Sequence, residues 1–181
     1  MRALTLLAFT FFASGCAEPL LTKVEVASAK GGVRGHAPSG PGWKCTPHDV
    51  EKESFAFQGI KCVDAEGVVL TAKLYEVDVA DARTAELFCI QDWKAAYGSL
   101  FSVVVSATSG IKDRRGIPAC EVVLEGTTTK GPWRIWEIHA PNGRKMLQMN
   151  VSGSLPVVQK KQRQIDAWLD DVTYDLKLPG Q

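Results

Sequence analysis

The residues of this chain whose types could do chemistry are five cysteines, three histidines and scattered serines and carboxylates among 181 residues. Cys45, Cys62, Cys89 and Cys120 contain no Cys-x-x-Cys, and His36, His48 and His139 show no ligand spacing, so zinc has no template here. The pattern predicts no metal and no cofactor. Nucleophilic catalysis needs a base beside a hydroxyl or thiol. Gly-x-Ser-x-Gly is absent, and Ser152, in Val151-Ser152-Gly153-Ser154, reads as a helix-capping turn. His48 follows Pro47 beside Asp49 and His139 ends a strand; both read as surface or internally satisfied histidines. Asp170-Asp171 closes a helix on its solvated face, and Gly31-Gly32 lacks the preceding strand and following helix of a phosphate loop. No catalytic constellation is visible. A small hydrolase or thiol redox protein stays an alternative whose site the sequence would have to hide.

The four downstream thiols fit disulfides better than metal. Four cysteines allow three pairings, and sequence alone leaves them open. Helical periodicity turns Cys89 inward and strand alternation turns Cys120 inward, which favours Cys89–Cys120 and leaves Cys45 for Cys62. Two buried free thiols are the competing expectation. Disulfides presuppose an oxidising compartment, and the N-terminus supplies the route. Met1-Arg2 precedes the apolar run Ala3–Ala13, then Ser14, Gly15 and Cys16, with no charge between Arg2 and Glu18. That order predicts a secretory signal peptide over residues 1–15, too short to span a bilayer.

Ala13-Ser14-Gly15-Cys16 resembles the lipobox of bacterial lipoproteins, although Ala13 stands where most members carry Leu. The resemblance implies cleavage before Cys16, a diacylglycerol on its thiol, and a membrane anchor through that lipid. It also accounts for an odd cysteine in an exported chain. Ala17, standing where Asp often retains such proteins at the inner membrane, implies the outer membrane.

Removing residues 1–15 from the 181 leaves 166, enough for one domain with a real core. Arg2 leaves with them, so 20 basic side chains face 20 acidic ones. A balanced chain argues against nucleic acid as a partner, because its binders carry a basic excess or stripe. The stretch from Ala17 to Gly42 is rich in Gly, Pro, Ser and Lys and reads as a flexible tether with a solvated His36, spanning about 25–30 Å as a coil. A short strand at Thr22–Val26 is compatible with the same residues. A single domain is expected from Trp43 onward.

Within it, period-two alternation predicts strands at Phe55–Cys62, Val68–Glu76, Ile117–Glu125, Trp133–Ala140 and Arg144–Val151, the last two joined through Asn142-Gly143. Leu100–Ala107, nearly all apolar or small, reads as a central strand. Helical spacing predicts a helix over Asp81–Tyr97, capped by Asp81, and another from Pro156 to about Asp171, capped by Ser154. Val172–Leu176 reads as an edge strand. The predicted class is α+β: an antiparallel sheet of about six strands covered by two main helices.

Gly116-Ile117-Pro118-Ala119-Cys120, then Trp133-Arg134-Ile135-Trp136, Met146–Val151 and the helix through Trp168 resemble the second half of PsbP-like α/β/α sandwich proteins. The resemblance implies that fold over Trp43–Leu176 and a non-enzymatic role such as that of extrinsic subunits, and it assigns no functional residue. Partner contact is expected from the charged turn carrying Lys112, Arg114 and Arg115. Trp133 joins these, because Trp133 and Trp136 are three apart in a strand and face opposite ways, so that one is expected in the core and the other either under a helix or exposed to an interface. The expected role is a membrane-anchored envelope lipoprotein that binds or supports another envelope component. A binder of an apolar ligand lies between this and the enzyme alternative.

Overall fold

The computed structural model describes residues 19–52, 55–76, 84–91, 93–142 and 144–175. The expected signal peptide and Cys16 lie outside these residues. No described helix is long and apolar enough to cross a membrane.

Eight strands form one antiparallel sheet: β3 (Lys44–Pro47), β4 (Val50–Lys52), β5 (Phe55–Val63), β6 (Val69–Glu76), β7 (Val103–Arg114), β8 (Ile117–Thr128), β9 (Gly131–Asn142) and β10 (Lys145–Ser154). The order is β3-β5-β6-β10-β9-β8-β7, with β4 also pairing β5. The excess over six strands is β3 and β4, which are too short to display a period. The β7–β8 hairpin turns on Arg115 and Gly116, both at positive φ (58° and 80°), the pairing that matches strand twist across a two-residue turn. Val103–Arg114 lies at the sheet's edge, not its centre. Small and β-branched residues satisfy either position, so an apolar run did not imply burial on both faces.

Alternation assigns the two faces. The first carries Ile60, Leu70, Ala72, Ile138, Leu147, Met149 and Val151 against α3 (Leu155–Lys160) and α4 (Gln162–Asp171), which contribute Val158, Ile165, Trp168 and Leu169. The second carries Cys120, Val122, Leu124 and Ile135 beneath Ala85, Trp93 and Phe101, with α1 (Ala85–Cys89) and α2 (Trp93–Tyr97) above. Trp136 packs on the first core and Trp133 on the second. Helices thus lie on both faces, an α/β/α arrangement.

Each expected helix is two. Thr84, not Asp81, caps α1, its hydroxyl accepting from Leu87 N–H at 3.4 Å; Asp81 lies outside the described residues. The C-terminal helix breaks at Lys161, whose ammonium reaches Asp64 at 2.9 Å and Glu66 at 3.2 Å in the β5–β6 turn. Ser154 precedes α3 without a side-chain cap, and Pro156 sits in its first turn.

The tether expectation is corrected over most of its length. β1 (Leu21–Ala27) and β2 (Val33–Pro38) form a hairpin, and β11 (Thr173–Tyr174) adds to β2 in a separate three-stranded sheet. Val33 is fully buried in the main core. His36 is not merely solvated: its backbone N–H donates to Asp171 at 2.6 Å and its Nδ1 lies 3.1 Å from the same carboxylate. Gly and Pro hid this hairpin because docking on α4, not local propensity, holds it.

Candidate functional site

Strand register lays three rows of side chains across β5, β6, β10 and β9 on the second face. Lys61, Thr71, Asn150 and Glu137 form one; Gly59, Lys73, Gln148 and His139 the next; Phe57, Tyr75, Met146 and Pro141 the third. The β9 end of these rows lies beside α1, while the β5–β6–β10 side chains are half-buried, apart from the more enclosed Phe57, Gly59 and Thr71.

A carboxylate anchors the covered end. Glu137 is 6% exposed and His139 5%. His139 Nε2 lies 2.8 Å from Glu137 Oε2, Asn150 Nδ2 donates to Glu137 Oε1 at 3.1 Å, and Gln148 Nε2 donates to Oε2 at 3.3 Å. The Tyr97 hydroxyl bonds Glu137 as well, and Tyr75 donates to Gln148 Oε1 at 3.0 Å. Burial alone would raise the Glu137 carboxyl, but the donors outweigh it and hold it below its ordinary range. Burial, then the Glu137 charge, pushes the Tyr97 and Tyr75 hydroxyls up.

The His139 ring is stacked between Phe88 (centroids 4.9 Å apart) and Trp93 (5.3 Å), and its buried Nδ1 has no partner among the described residues. A histidine oriented by a carboxylate is half of a catalytic dyad. Here the ring is stacked on aromatic side chains, and among the described residues no serine or thiol lies within hydrogen-bond distance of the free nitrogen. Among the described residues no three His, Cys, Asp or Glu side chains converge as a metal would need.

The opposite end of the rows offers cations. Lys73 Nζ lies 5.1 Å above the Phe57 ring, which also meets Tyr75 at 5.3 Å and His48 at 5.2 Å. Partial burial, then Lys73 and Lys61, hold the His48 pKa below its ordinary value. Among the described residues neither lysine has a carboxylate within ion-pair distance. Lys73 over the Phe57 ring and Lys61, two rows from that ring on β5, leave two cations on the open half of this face, a surface suited to an anionic partner.

The residues expected from sequence fall elsewhere. Cys45 bonds Cys62, with Cα atoms 4.0 Å apart, and Cys89 bonds Cys120, at 5.4 Å; these four thiols are consumed. Lys112 pairs with buried Glu121 at 2.8 Å, and Arg114 with Glu121 at 3.4 Å and Asp170 at 3.1 Å. Arg115 donates to the Asp170 carbonyl. The turn is therefore tied to the end of α4, and Asp170-Asp171 holds the turn and the β1–β2 hairpin. Trp133, paired with Gly126, lies half-buried toward the other end of β8, so the structure does not bring these four residues together. Glu137, His139, Lys61 and Lys73 were missed as a group. Ile135, Glu137 and His139 alternate onto one face, a signal that was available, but only the β5–β6–β10–β9 register joins them.

No protein-family model matches the sequence, and no curated protein matches it significantly. Several solved structures resemble the chain. The solution structure of cyanobacterial PsbP (CyanoP) from Synechocystis sp. PCC 6803 is 13% identical, with a TM-score of 0.55 over 91% of this chain and 98% of its own. The crystal structure of LpqN, involved in cell envelope biogenesis of Mycobacterium tuberculosis, is 11% identical, with a TM-score of 0.46 over 78% of this chain and 90% of its own. The first likeness extends over nearly the whole of both chains, and the fold described above is PsbP-like.

Proposed function

We propose that this protein is a lipid-anchored envelope lipoprotein whose folded domain is a non-enzymatic binder, holding an anionic envelope component on the open half of its second sheet face. One observation carries the reading: among the described residues, Lys73, over the Phe57 ring beside Tyr75, and Lys61, farther along β5, have no carboxylate partner, while Glu137, the acid of the same face, is saturated by donors. Cations left unpaired on an otherwise hydrogen-bonded face leave their charge for something outside the domain. The two disulfides suit an exported protein, and the Ala13–Cys16 motif supplies the anchor. The outer membrane is the expected address, from Ala17.

Fractionation of the full chain tests the anchor. The native protein should partition with membranes, and Cys16→Ser should move it to the soluble fraction. Membrane association unchanged in the variant would overturn the lipid anchor. Pull-down of the lipidated protein from its own envelope should recover a partner, with no turnover of generic ester or disulfide substrates; robust turnover lost on changing His139 would favour an enzyme.

A further inference from the structure

The apolar exposure of this molecule is concentrated on one side. Of the eight large hydrophobic side chains exposed among the described residues, six are Leu87, Ile90, Leu100, Val103, Val105 and Ile111, on α1 or on β7 and its approach. Ile90 is 77% and Val105 73% exposed. β7 is the last strand of the sheet, so the backbone groups on its outer side have no described strand to pair with. Proteins guard such edges with short strands, proline or charge. The opposite edge obeys: β3 has four residues, starts at Lys44 and ends at Pro47. β7 has twelve residues and no charge or proline before Lys112.

What fits an open edge is an extended strand, and the β7 sequence indicates which one. A bulge at Val105 interrupts the ladder with β8, and the first charge is Lys112. Between these limits runs Val105-Ser106-Ala107-Thr108-Ser109-Gly110-Ile111. It is self-complementary about Thr108. Folded back antiparallel on itself, it sets Val105 against Ile111, Ser106 against Gly110 and Ala107 against Ser109. β-Branched side chains meet each other, as do small ones, and each charged tip meets the other strand's neutral start. Cys89, next to Ile90, is bonded to Cys120, the residue paired with Ile111, so Ile90 lies beside the same edge. We propose that β7 is the interface with a second copy of this chain, two sheets joining edge to edge about a two-fold axis at Thr108.

The full-length, lipidated protein in its own membrane gives the test. Thr108→Cys places identical thiols at the axis. A short bis-maleimide should link two copies at twice the monomer mass, while Lys130→Cys, in the exposed β8–β9 turn, should not. Adding Val105→Lys and Ile111→Lys sets like charges opposite each other at both ends of the pairing, and the linked species should fall about tenfold. Both changes are at exposed positions, and retention of the two disulfides by peptide mapping confirms that the fold survives. Thr108→Cys linking no better than Lys130→Cys, linking undiminished by the lysines, or linking to a different protein would each overturn the second copy as occupant.

Discussion

The two faces of the sheet are built from the same strands and do different work. The first is filled with aliphatic side chains and sealed by α3, α4 and Val33. The second changes across its width, from Val122, Leu124 and Ile135 under α1 and α2, through Glu137 and His139, to Lys61 and Lys73. A face that only had to stabilise the fold would have no use for a buried carboxylate with four donors, because hydrophobic replacement of such groups is often neutral or better. The contrast sets a face given over to packing against one that adds a polar network and two lysines to its packing, and the proposed binding surface rests on the second.

The largest expected effect lies on the first face. Trp168 is completely buried there, and Trp168→Ala should cost about 3–5 kcal/mol from lost transfer energy and a cavity, read by denaturant unfolding. A cost under about 1 kcal/mol would mean that this core is not what holds the fold. Next comes the strap on the second face. Cys89→Ala opens a bridge spanning a sequence separation of 31, worth about 3–4 kcal/mol in the chain-entropy account. It should also raise amide exchange in α1 and α2 ahead of β9 and β10. Uniform loosening of both faces would break the distinction.

A smaller effect separates charge from packing. Glu137→Gln keeps the shape but removes the charge and turns one of the two oxygens that accept from His139, Tyr97, Gln148 and Asn150 into an NH2 donor, at about 1–3 kcal/mol. Because the folded carboxyl is held below its unfolded value, its stabilisation is present above the ordinary glutamate range and is lost as pH falls through the folded pKa. The native protein should therefore lose stability between neutral and acid pH more steeply than Glu137→Gln. Parallel acid titrations would show that this carboxylate carries no such stabilisation.

Much of the fold was legible because it rests on local periods. The alternation of Leu70, Ala72 and Leu74, and of Cys120, Val122 and Leu124, points to the faces that are buried. The same inward turn underlay the pairing of Cys89 with Cys120, which left Cys45 for Cys62. Of the β1–β2 hairpin only a short strand at Thr22–Val26 was legible, because β2 holds few apolar residues and gains its place from Asp171, 135 positions away in sequence from His36. The candidate site was illegible for a related reason. Lys61, Lys73 and Glu137 come from three strands, and they share one stretch of sheet face only through the order β5-β6-β10-β9. Lys112, Arg114 and Arg115 looked available because a charged turn between strands is usually solvated, whereas Asp170 and Glu121 engage them here.

The central claim, that the open half of the second face is the binding surface, is tested most directly by reversing its charge. Lys61→Glu with Lys73→Glu in the full-length lipidated protein touches no described ion pair but takes the cation off the Phe57 ring, and should cost about 1 kcal/mol. Pulled down from its own envelope, this variant should lose the partner that the native protein retains, while it stays folded and in the membrane fraction. Retention of the same partner at native yield by the folded, membrane-bound variant would contradict the claim.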